Sequence, residues 1–351
     1  MSGKTRVLIV DDSVTMRALF TSALEKSSDI VVLDSAANAD EARDLIAQLK
    51  PDIITLDIEM PGMNGIDFLE EIMSKNPMPV IMLSTLTQKG AEISLRAMEL
   101  GAVDCFPKPK QASPDEFDKI SDRLCKLVVA AAKSNVKKPA PRPAAAAPVA
   151  VDTGFKWNGS IVAMAASTGG VEAYMECLAA YPANCPPTII LQQMEEGLAV
   201  SFASKLNQRI APEVKLAADG QKLEQGIVYV AADPLTHVVV DRWPGGTIRV
   251  LPRDPVKGFR PSADLLFAAL AKTAGARAIA ALLTGMGEDG AMGMAALKGV
   301  GAQTFCQTPD SALVREVLDA VIAKDPTIRQ LSLDELGAAV LENASFDKAA
   351  A

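Results

Sequence analysis

Short apolar runs that end in aspartate recur along the first third of the chain. Residues 7–10 read Val-Leu-Ile-Val before Asp11 and Asp12, and residues 53–56 read Ile-Ile-Thr-Leu before Asp57. Runs of this length without polar alternation are typical of strands that are buried on both faces of a parallel sheet. The pattern therefore predicts two parallel strands, each of which delivers acidic side chains at its carboxyl end.

A helical pattern lies between these two strands. After Ser13, apolar side chains recur with the spacing i, i+3, i+4, i+7 and i+8, at Met16, Leu19, Phe20, Ala23 and Leu24. This spacing predicts an amphipathic helix that lays one face on the sheet. The alternation of strand, helix and strand predicts a doubly wound α/β domain, in which ligands bind at the carboxyl ends of the strands.

Five polar residues follow predicted strands of this domain, namely Asp11, Asp12, Asp57, Ser84 and Lys108. Acidic side chains at one sheet edge can hold a Mg²⁺ ion, which offsets the charge of an incoming phosphoryl group. Asp57 would accept that group, Lys108 would pair with it, and Ser84 would donate a hydrogen bond to it. An isolated Asp pair more often caps a helix, but five such residues in this order favour a phosphoryl-transfer site.

These positions carry a resemblance to a known family. Residues 5–125 resemble the receiver domain of two-component response regulators, and the segment 57–65 reads Asp-Ile-Glu-Met-Pro-Gly-Met-Asn-Gly. Within it, residues 59–61 resemble the variant found in chemotaxis methylesterases, as do residues 84–87, Ser-Thr-Leu-Thr.

The receiver resemblance implies a flavodoxin-like fold and a chemotaxis histidine kinase as the phosphodonor for Asp57. It also implies that the backbone carbonyl of Glu59 joins the aspartates around Mg²⁺. Cys105 stands where receivers usually carry an aromatic switch residue, so the transmission of phosphorylation is expected to differ from theirs.

The chain has 351 residues, which is room for two cores. Residues 134–152 are rich in Pro and Ala and offer little to bury, so we interpret them as part of a semi-extended linker. We therefore predict a receiver domain over residues 1–125, its terminal helix and a Pro/Ala linker over residues 126–158, and a second doubly wound domain over residues 159–345.

Three strand ends of the second domain carry candidate chemistry. The apolar run 160–164 leads into Ser167, the run 188–191 into Gln193, and the run 278–283 into a Gly-rich turn that contains Asp289. A Ser at a strand-to-helix turn with small neighbours can expose a nucleophilic hydroxyl. Each residue alone is more typical of a cap or a turn, but together they predict one crevice at the carboxyl edge of the sheet.

Residues 159–340 resemble the catalytic domain of CheB-type protein-glutamate methylesterases. The matching motifs are Ser-Thr-Gly-Gly at 167–170, Arg-Pro-Ser-Ala-Asp at 260–264 and Thr-Gly-Met-Gly-Glu-Asp-Gly at 284–290; residues 226–230 and 237–240 match the β-hairpin region of the family. The resemblance implies hydrolysis of glutamyl methyl esters, and deamidation of glutamine, on chemoreceptors by a Ser-His-Asp triad.

By this resemblance Ser167 is the nucleophile and Asp289 the acid of the triad, with oxyanion donors near Thr168 and Met286. The family motif Gln-His-Met supplies the general base, whereas this chain reads Gln192-Gln193-Met194. A carboxamide cannot accept a proton near neutral pH, so Ser167 has no base at that position.

Few residues offer a substitute for that base. The chain holds a single histidine, His237, whose counterpart in the family lies on a connecting loop, and we expect a structural or surface role for it. Glu195 or Glu196 could approach Ser167 through a water molecule. Residues 315–318, Arg-Glu-Val-Leu, form a helical run where the family usually shows Gly-Met-Pro.

Two hypotheses remain open. The first is a phosphorylation-controlled chemoreceptor methylesterase and deamidase that uses a substitute base. The second is a catalytically weak or inactive regulator that binds the receptor or the kinase.

Composition narrows the cellular context. No apolar run approaches the roughly 20 residues of a membrane span, and the five scattered Cys suit a reducing compartment. The formal net charge of −8 argues against nucleic acid as the target. We therefore expect a cytoplasmic, monomeric protein without membrane insertion.

Overall fold

The computed structural model describes residues 3–85, 87–109, 111–136, 154–195 and 197–346. By its internal contacts the chain divides between residues 142 and 143 into two compact units. The predicted terminal helix and linker cover residues 126–158; the last helix of the first unit ends at Ala131, and residues 137–153 lie outside the described residues.

Strands and helices alternate through the first unit. The strands are β1 (Thr5–Val10), β2 (Ile30–Ala36), β3 (Ile53–Asp57), β4 (Val80–Ser84) and β5 (Asp104–Pro107). The helices are α1 (Val14–Leu24), α2 (Ala39–Leu49), α3 (Gly65–Lys75), α4 (Gln88–Glu99) and α5 (Pro114–Ala131). The predicted helix after Ser13 is confirmed, because the Ser13 hydroxyl accepts the Met16 N–H at 3.4 Å and begins α1.

The sheet of this unit is parallel, with the strand order β2-β1-β3-β4-β5. This order confirms the predicted flavodoxin-like arrangement. The chain direction across the sheet reverses between β1 and β3, which are hydrogen-bonded neighbours. Such a reversal opens a crevice beyond the carboxyl ends of the two strands, and Asp11 and Asp57 lie there.

The second unit contains a larger parallel sheet. Its strands are β6 (Ile161–Ala166), β7 (Thr188–Gln192), β8 (Glu213–Leu216), β9 (Ile227–Ala231), β10 (His237–Val240), β11 (Ile248–Leu251), β12 (Ala278–Leu282), β13 (Gln303–Gln307) and β14 (Arg329–Leu331). Its helices are α6 (Gly170–Cys177), α7 (Leu198–Asn207), α8 (Ala263–Thr273), α9 (Ala291–Gly299), α10 (Glu316–Lys324) and α11 (Leu333–Asn343).

Seven of these strands form the order β14-β13-β12-β6-β7-β9-β8. Strand β6 lies between β12 and β7, and all three are fully buried, as the apolar runs predict. The carboxyl ends of these three strands therefore meet at the position where the chain order reverses. No helix among the described residues is both long and apolar enough to cross a membrane.

One part of the predicted hairpin region is wrong. Strand β9, which covers most of residues 226–230, pairs in parallel with β7 and β8 and belongs to the central sheet. Strand β10 does form an antiparallel pair, but its partner is β11. Strand β9 is fully buried, so its apolar sequence reflects a place inside the sheet rather than in a hairpin.

Helices α8 and α9 cap each other through two carboxylates. The Asp264 Oδ1 atom, at the start of α8, accepts the Gly290 and Gly293 N–H groups at 3.0 and 2.8 Å at the start of α9. In return, Asp289 accepts N–H groups at the start of α8. Each carboxylate satisfies helix amides that would otherwise lack partners and interacts favourably with a helix dipole.

Removal of the Asp264 carboxylate should destabilise the second unit. We expect Asp264→Ala to lower the free energy of unfolding by about 1–2 kcal/mol, the usual cost of a lost helix cap, and Asp264→Asn to lower it less. Both tryptophans, Trp157 and Trp243, lie in the second unit, so their fluorescence during urea unfolding of the full chain measures this unit alone.

The control for this experiment is Glu288→Ala. Glu288 is exposed, and its ion pair with Lys257 spans 3.7 Å, so we expect a change within about 0.5 kcal/mol. Equal losses for Glu288→Ala and Asp264→Ala would contradict the capping role.

Candidate functional site

All five predicted polar residues of the first unit lie close together. Asp11 and Asp57 are buried, and Lys108 Nζ lies 2.7 Å from a carboxylate oxygen of each. Ser84 ends β4, and its carbonyl accepts the Lys108 N–H at 2.8 Å.

The acidic residues form a group that suits a small divalent cation. Carboxylate oxygens of Asp11, Asp12 and Asp57 all lie within 4.8 Å of one another. Oxygen ligands of this kind, with an exposed edge at Asp12, fit the preference of Mg²⁺ for carboxylates and water. The three carboxylates of the predicted magnesium site are therefore close enough together to share one cation.

Burial raises the pKa of Asp57, and the hydrogen bond and charge of Lys108 oppose that rise. The Asp11 carboxylate raises the pKa further. A bound cation would relieve this unfavourable gathering of negative charge, because it attracts all three carboxylates.

The backbone around Asp57 is tightly packed. The Glu59 N–H donates to Asp57 Oδ1 at 3.2 Å, which places Glu59 beside the acceptor; the metal-binding role of its carbonyl and the hydrogen-bonding role of the Ser84 hydroxyl stay predictions. A Cβ atom at Gly65 would lie 1.9 Å from the Asp57 carbonyl oxygen, so only glycine fits where α3 begins.

Cys105 is a packed residue of β5. Its thiol is buried and donates to the Ser94 carbonyl of α4 at 3.4 Å. Burial strongly raises the pKa of this thiol, so the group remains protonated and apolar in character.

In the second unit, Ser167 lies directly beyond the end of β6. Its N–H donates to the Thr284 carbonyl at 3.1 Å, and its Oγ accepts the Met286 N–H at 2.9 Å. A Cβ atom at Gly285 would lie 2.5 Å from Ser167 Oγ. A side chain at residue 285 would therefore clash with the Ser167 hydroxyl, and glycine lets the turn after β12 approach it closely.

Asp289 is buried and accepts four hydrogen bonds. Oδ1 accepts from the Ser262 hydroxyl at 2.8 Å and the Asp264 N–H at 3.0 Å, whereas Oδ2 accepts from the Ala263 N–H at 2.7 Å and Gln193 Nε2 at 3.0 Å. Burial raises the pKa of Asp289, and the hydrogen bonds from α8 oppose that rise.

Gln193 follows directly after the end of β7. Its Nε2 donates to Asp289 Oδ2 and also to the Pro261 carbonyl, each at 3.0 Å. Ser167, Gln193, Met286 and Asp289 line one small cavity of about 10 Å³ together with apolar side chains, roughly the room for one water molecule. The structure thus brings together the residues that three separate strand ends predict.

Thr168 and Met286 are the two residues near which oxyanion donors are predicted. Thr168 is buried, and its carbonyl accepts the Thr284 hydroxyl at 3.0 Å, so it lies beside the same turn as Met286; the oxyanion roles of both stay predictions.

The structural role expected for His237 agrees with its contacts. Its Nδ1 accepts the Ser262 N–H at 3.1 Å, and its Nε2 therefore donates to the Asp254 carbonyl at 3.0 Å. The residue is fully buried at the start of β10, so the expectation of a connecting loop or a surface position is wrong.

Several supporting residues were not assigned roles from the sequence. Ser262 hydrogen-bonds Asp289, the Pro261 carbonyl accepts from Gln193, and Asp264 caps α9. All three residues belong to the quoted motif 260–264. Gln192 Nε2 donates to the Ser167 carbonyl at 2.8 Å. For the contacts of residues 261–264, the motif was the signal that the sequence offered, because these contacts join segments that are far apart along the chain.

Comparisons with known proteins identify the family of each unit. The model of the CheB methylesterase family matches residues 162–340, and that of the response regulator receiver domain matches residues 7–117. A protein-glutamate methylesterase/protein-glutamine glutaminase of Caulobacter vibrioides is 45% identical, over 97% of this chain and 98% of its own. A relative of the same description from Rhizobium etli is 44% identical over 97% of each chain.

A solved structure extends the comparison to the fold. The crystal structure of the Thermotoga maritima CheB methylesterase catalytic domain matches with a TM-score of 0.50 and 27% identity. The match covers 53% of this chain and 98% of that one.

Magnesium should stabilise the first unit through the acidic group. We expect millimolar MgCl₂ to raise an unfolding midpoint of the full chain in calorimetry by about 3 °C or more, as ligand linkage predicts, and Asp57→Asn to remove most of this rise. The control Glu70→Gln, an exposed residue of α3, should respond like the unmodified chain. Equal magnesium responses in all three proteins would contradict the assignment.

Because the pKa of Asp57 is raised, the effect of Asp57→Asn on the stability of the chain should depend on pH. Below the unfolded-state pKa of Asp57 its carboxyl group is protonated, and the contribution of this form to the stability of the folded chain is fully present. That contribution is lost as the pH rises through the raised folded-state pKa. Without magnesium, Asp57→Asn should therefore be more stable than the unmodified chain at neutral pH, and this gain should disappear in acid. A gain that is independent of pH would point to another cause.

Proposed function

Because the chain belongs to the CheB methylesterase family and carries a response regulator receiver domain, we propose that it is a phosphorylation-controlled chemotaxis regulator with impaired catalysis. It engages methyl-accepting chemoreceptors through its esterase-like unit but hydrolyses their glutamyl methyl esters only weakly. One observation carries the second half of this proposal: Gln193 donates a hydrogen bond to Asp289 and lines the same small cavity as Ser167.

The chemistry of a triad requires a proton acceptor at that position. The base takes the proton of the serine hydroxyl during attack and returns it to the leaving group. The Gln193 Nε2 atom donates to Asp289 Oδ2 and to the Pro261 carbonyl. The other end of the side chain is a carboxamide oxygen, which is not basic near neutral pH and cannot take the serine proton. Loss of a triad member removes several orders of magnitude of rate.

The described surroundings offer no evident substitute. Asp289 is the only acid or base among the residues that line the small cavity in the described part of the chain, and its four hydrogen bonds occupy both oxygens. His237 uses both ring nitrogens elsewhere. Glu195 does not line this cavity, and Glu196 lies outside the described residues.

The receiver unit supports regulation by phosphorylation. Asp57 is the acceptor, Asp11, Asp12 and the Glu59 carbonyl hold Mg²⁺, and Lys108 and Ser84 bind the phosphoryl group. A chemotaxis histidine kinase is the donor, and the protein acts as a monomer in the cytoplasm. The receiver spans residues 1–125, the terminal helix and linker residues 126–158, and the output domain residues 159–345.

A second candidate function is a fully active methylesterase and deamidase. The contact between the Met286 N–H and Ser167 Oγ favours it, since an intact nucleophile and a donor beside it are parts of working serine hydrolases. The two candidates differ in one measurable respect, the effect of a base at residue 193.

Asp57 should be the only acceptor of phosphoryl groups in the receiver. We expect acetyl phosphate or a chemotaxis kinase to label the full chain in the presence of Mg²⁺, and Asp57→Asn to abolish this labelling. Asp12→Ala should reduce it strongly because a metal ligand is lost. Glu70→Gln should label normally. Undiminished labelling of Asp57→Asn would sink the assignment.

Gln193→His should restore the missing base. We expect hydrolysis of methylated receptor to rise at least about tenfold over the unmodified chain, a small part of what a complete triad contributes. A neutral imidazole donates one hydrogen bond, so the Pro261 carbonyl would lose its partner and stability should fall by about 1 kcal/mol.

Two variants control this experiment. Gln193→Asn keeps a carboxamide and should gain nothing, and Ser167→Ala in the Gln193→His background should remove the gain. If the unmodified chain already hydrolyses receptor esters as fast as Gln193→His, and Ser167→Ala abolishes that activity, the fully active candidate is correct.

A further inference from the structure

The segment that departs from the family motif holds the turn beside Ser167. The Gly285 N–H donates to the Val314 carbonyl at 3.0 Å, and the Val317 N–H donates to the Gly285 carbonyl at 3.2 Å. The Val314 N–H also donates to the Thr284 hydroxyl at 2.9 Å. Residues 314–317 therefore fix the position of the turn rather than forming a detached helix end.

Glu316 makes the most informative contact of this segment. It is exposed at the start of α10, and its Oε2 accepts the Gly287 N–H at 2.9 Å. The preceding amide, Met286 N–H, donates to Ser167 Oγ at 2.9 Å. Of these two successive amides, the first thus contacts Ser167 and the second contacts the Glu316 carboxylate. Two hydrogen bonds and one peptide unit separate Glu316 Oε2 from Ser167 Oγ, so the two oxygens lie within about 9 Å of each other.

An aromatic ring packs against Gly287. A Cβ atom at this residue would be 2.7 Å from Phe259 Cζ, so the ring packs directly on the glycine backbone. An amide donor next to an apolar wall suits a carboxyl group on a short aliphatic stem. A glutamyl side chain has this chemistry, and Glu316 is itself one.

We propose that the Gly287 N–H and the Phe259 ring form a subsite for a glutamyl carboxyl group, and that the Glu316 carboxylate occupies this subsite in the absence of a ligand. The identity of the ligand as a receptor glutamyl group rests on the proposed function. Glu316 is exposed and is held there by a single described hydrogen bond, so a ligand can displace it. While in place, its charge repels a second carboxylate.

The test uses sodium acetate as the simplest carboxylate. The full chain is labelled with [¹⁵N]glycine and [¹⁵N]methionine, and acetate is titrated against sodium chloride of equal ionic strength. In Glu316→Ala we expect saturable shifts of the Gly287 and Met286 amides, with an apparent affinity at least about fivefold above that of the unmodified chain. Glu316→Gln, a weaker neutral acceptor, should give an intermediate affinity.

The matched control is Asp319→Ala. Asp319 lies on the same helix as Glu316, but its carboxylate pairs with Arg315, so this variant should bind acetate like the unmodified chain. Equal acetate responses in the unmodified chain and in Glu316→Ala, or none in either, would overturn the proposal, and the Glu316→Gln arm decides if Glu316→Ala does not fold. Acetate binding requires no reaction at Ser167, so this result is separate from the ester hydrolysis that tests the proposed function.

Discussion

The buried carboxylate of Asp289 holds together the segments that form the second site. It accepts two amides and the Ser262 hydroxyl from the start of α8 and one N–H from Gln193 at the end of β7. Burial of a charge is costly unless every lone pair finds a donor, so none of these segments can move without exposing an unsatisfied group. The fold therefore requires this carboxylate whether or not the site catalyses a reaction.

Sequence patterns were most informative where local order determines structure. The buried strands β3, β6 and β12, which lead to Asp57, Ser167 and the turn that contains Asp289, follow from apolar runs, and parallel packing brings the ends of β6 and β12 together. The exchange of caps between Asp264 and α9 and the contact of Glu316 with Gly287 could not be predicted, because each joins distant segments through one side chain. Strand β9 was misassigned since a buried apolar run does not reveal its partner.

The two candidate sites place different demands on their residues. Phosphoryl transfer to Asp57 needs carboxylates, a cation and a lysine that stabilise charge, and these groups are close together. Ester hydrolysis also needs a group that moves a proton. Gln193 donates a hydrogen bond to Asp289, but its carboxamide cannot accept a proton near neutral pH. The demands of the first site can therefore be met where those of the second are not.

Release of methanol from methylated receptor membranes by the unmodified chain tests this account most directly. The measurement compares the full chain with Ser167→Ala, each with Mg²⁺ and beryllofluoride to mimic phosphorylation at Asp57. The account predicts that the two rates are nearly equal, because Ser167 has no base to activate it. Rapid release by the unmodified chain that Ser167→Ala abolishes would contradict it and would show that another group accepts the proton.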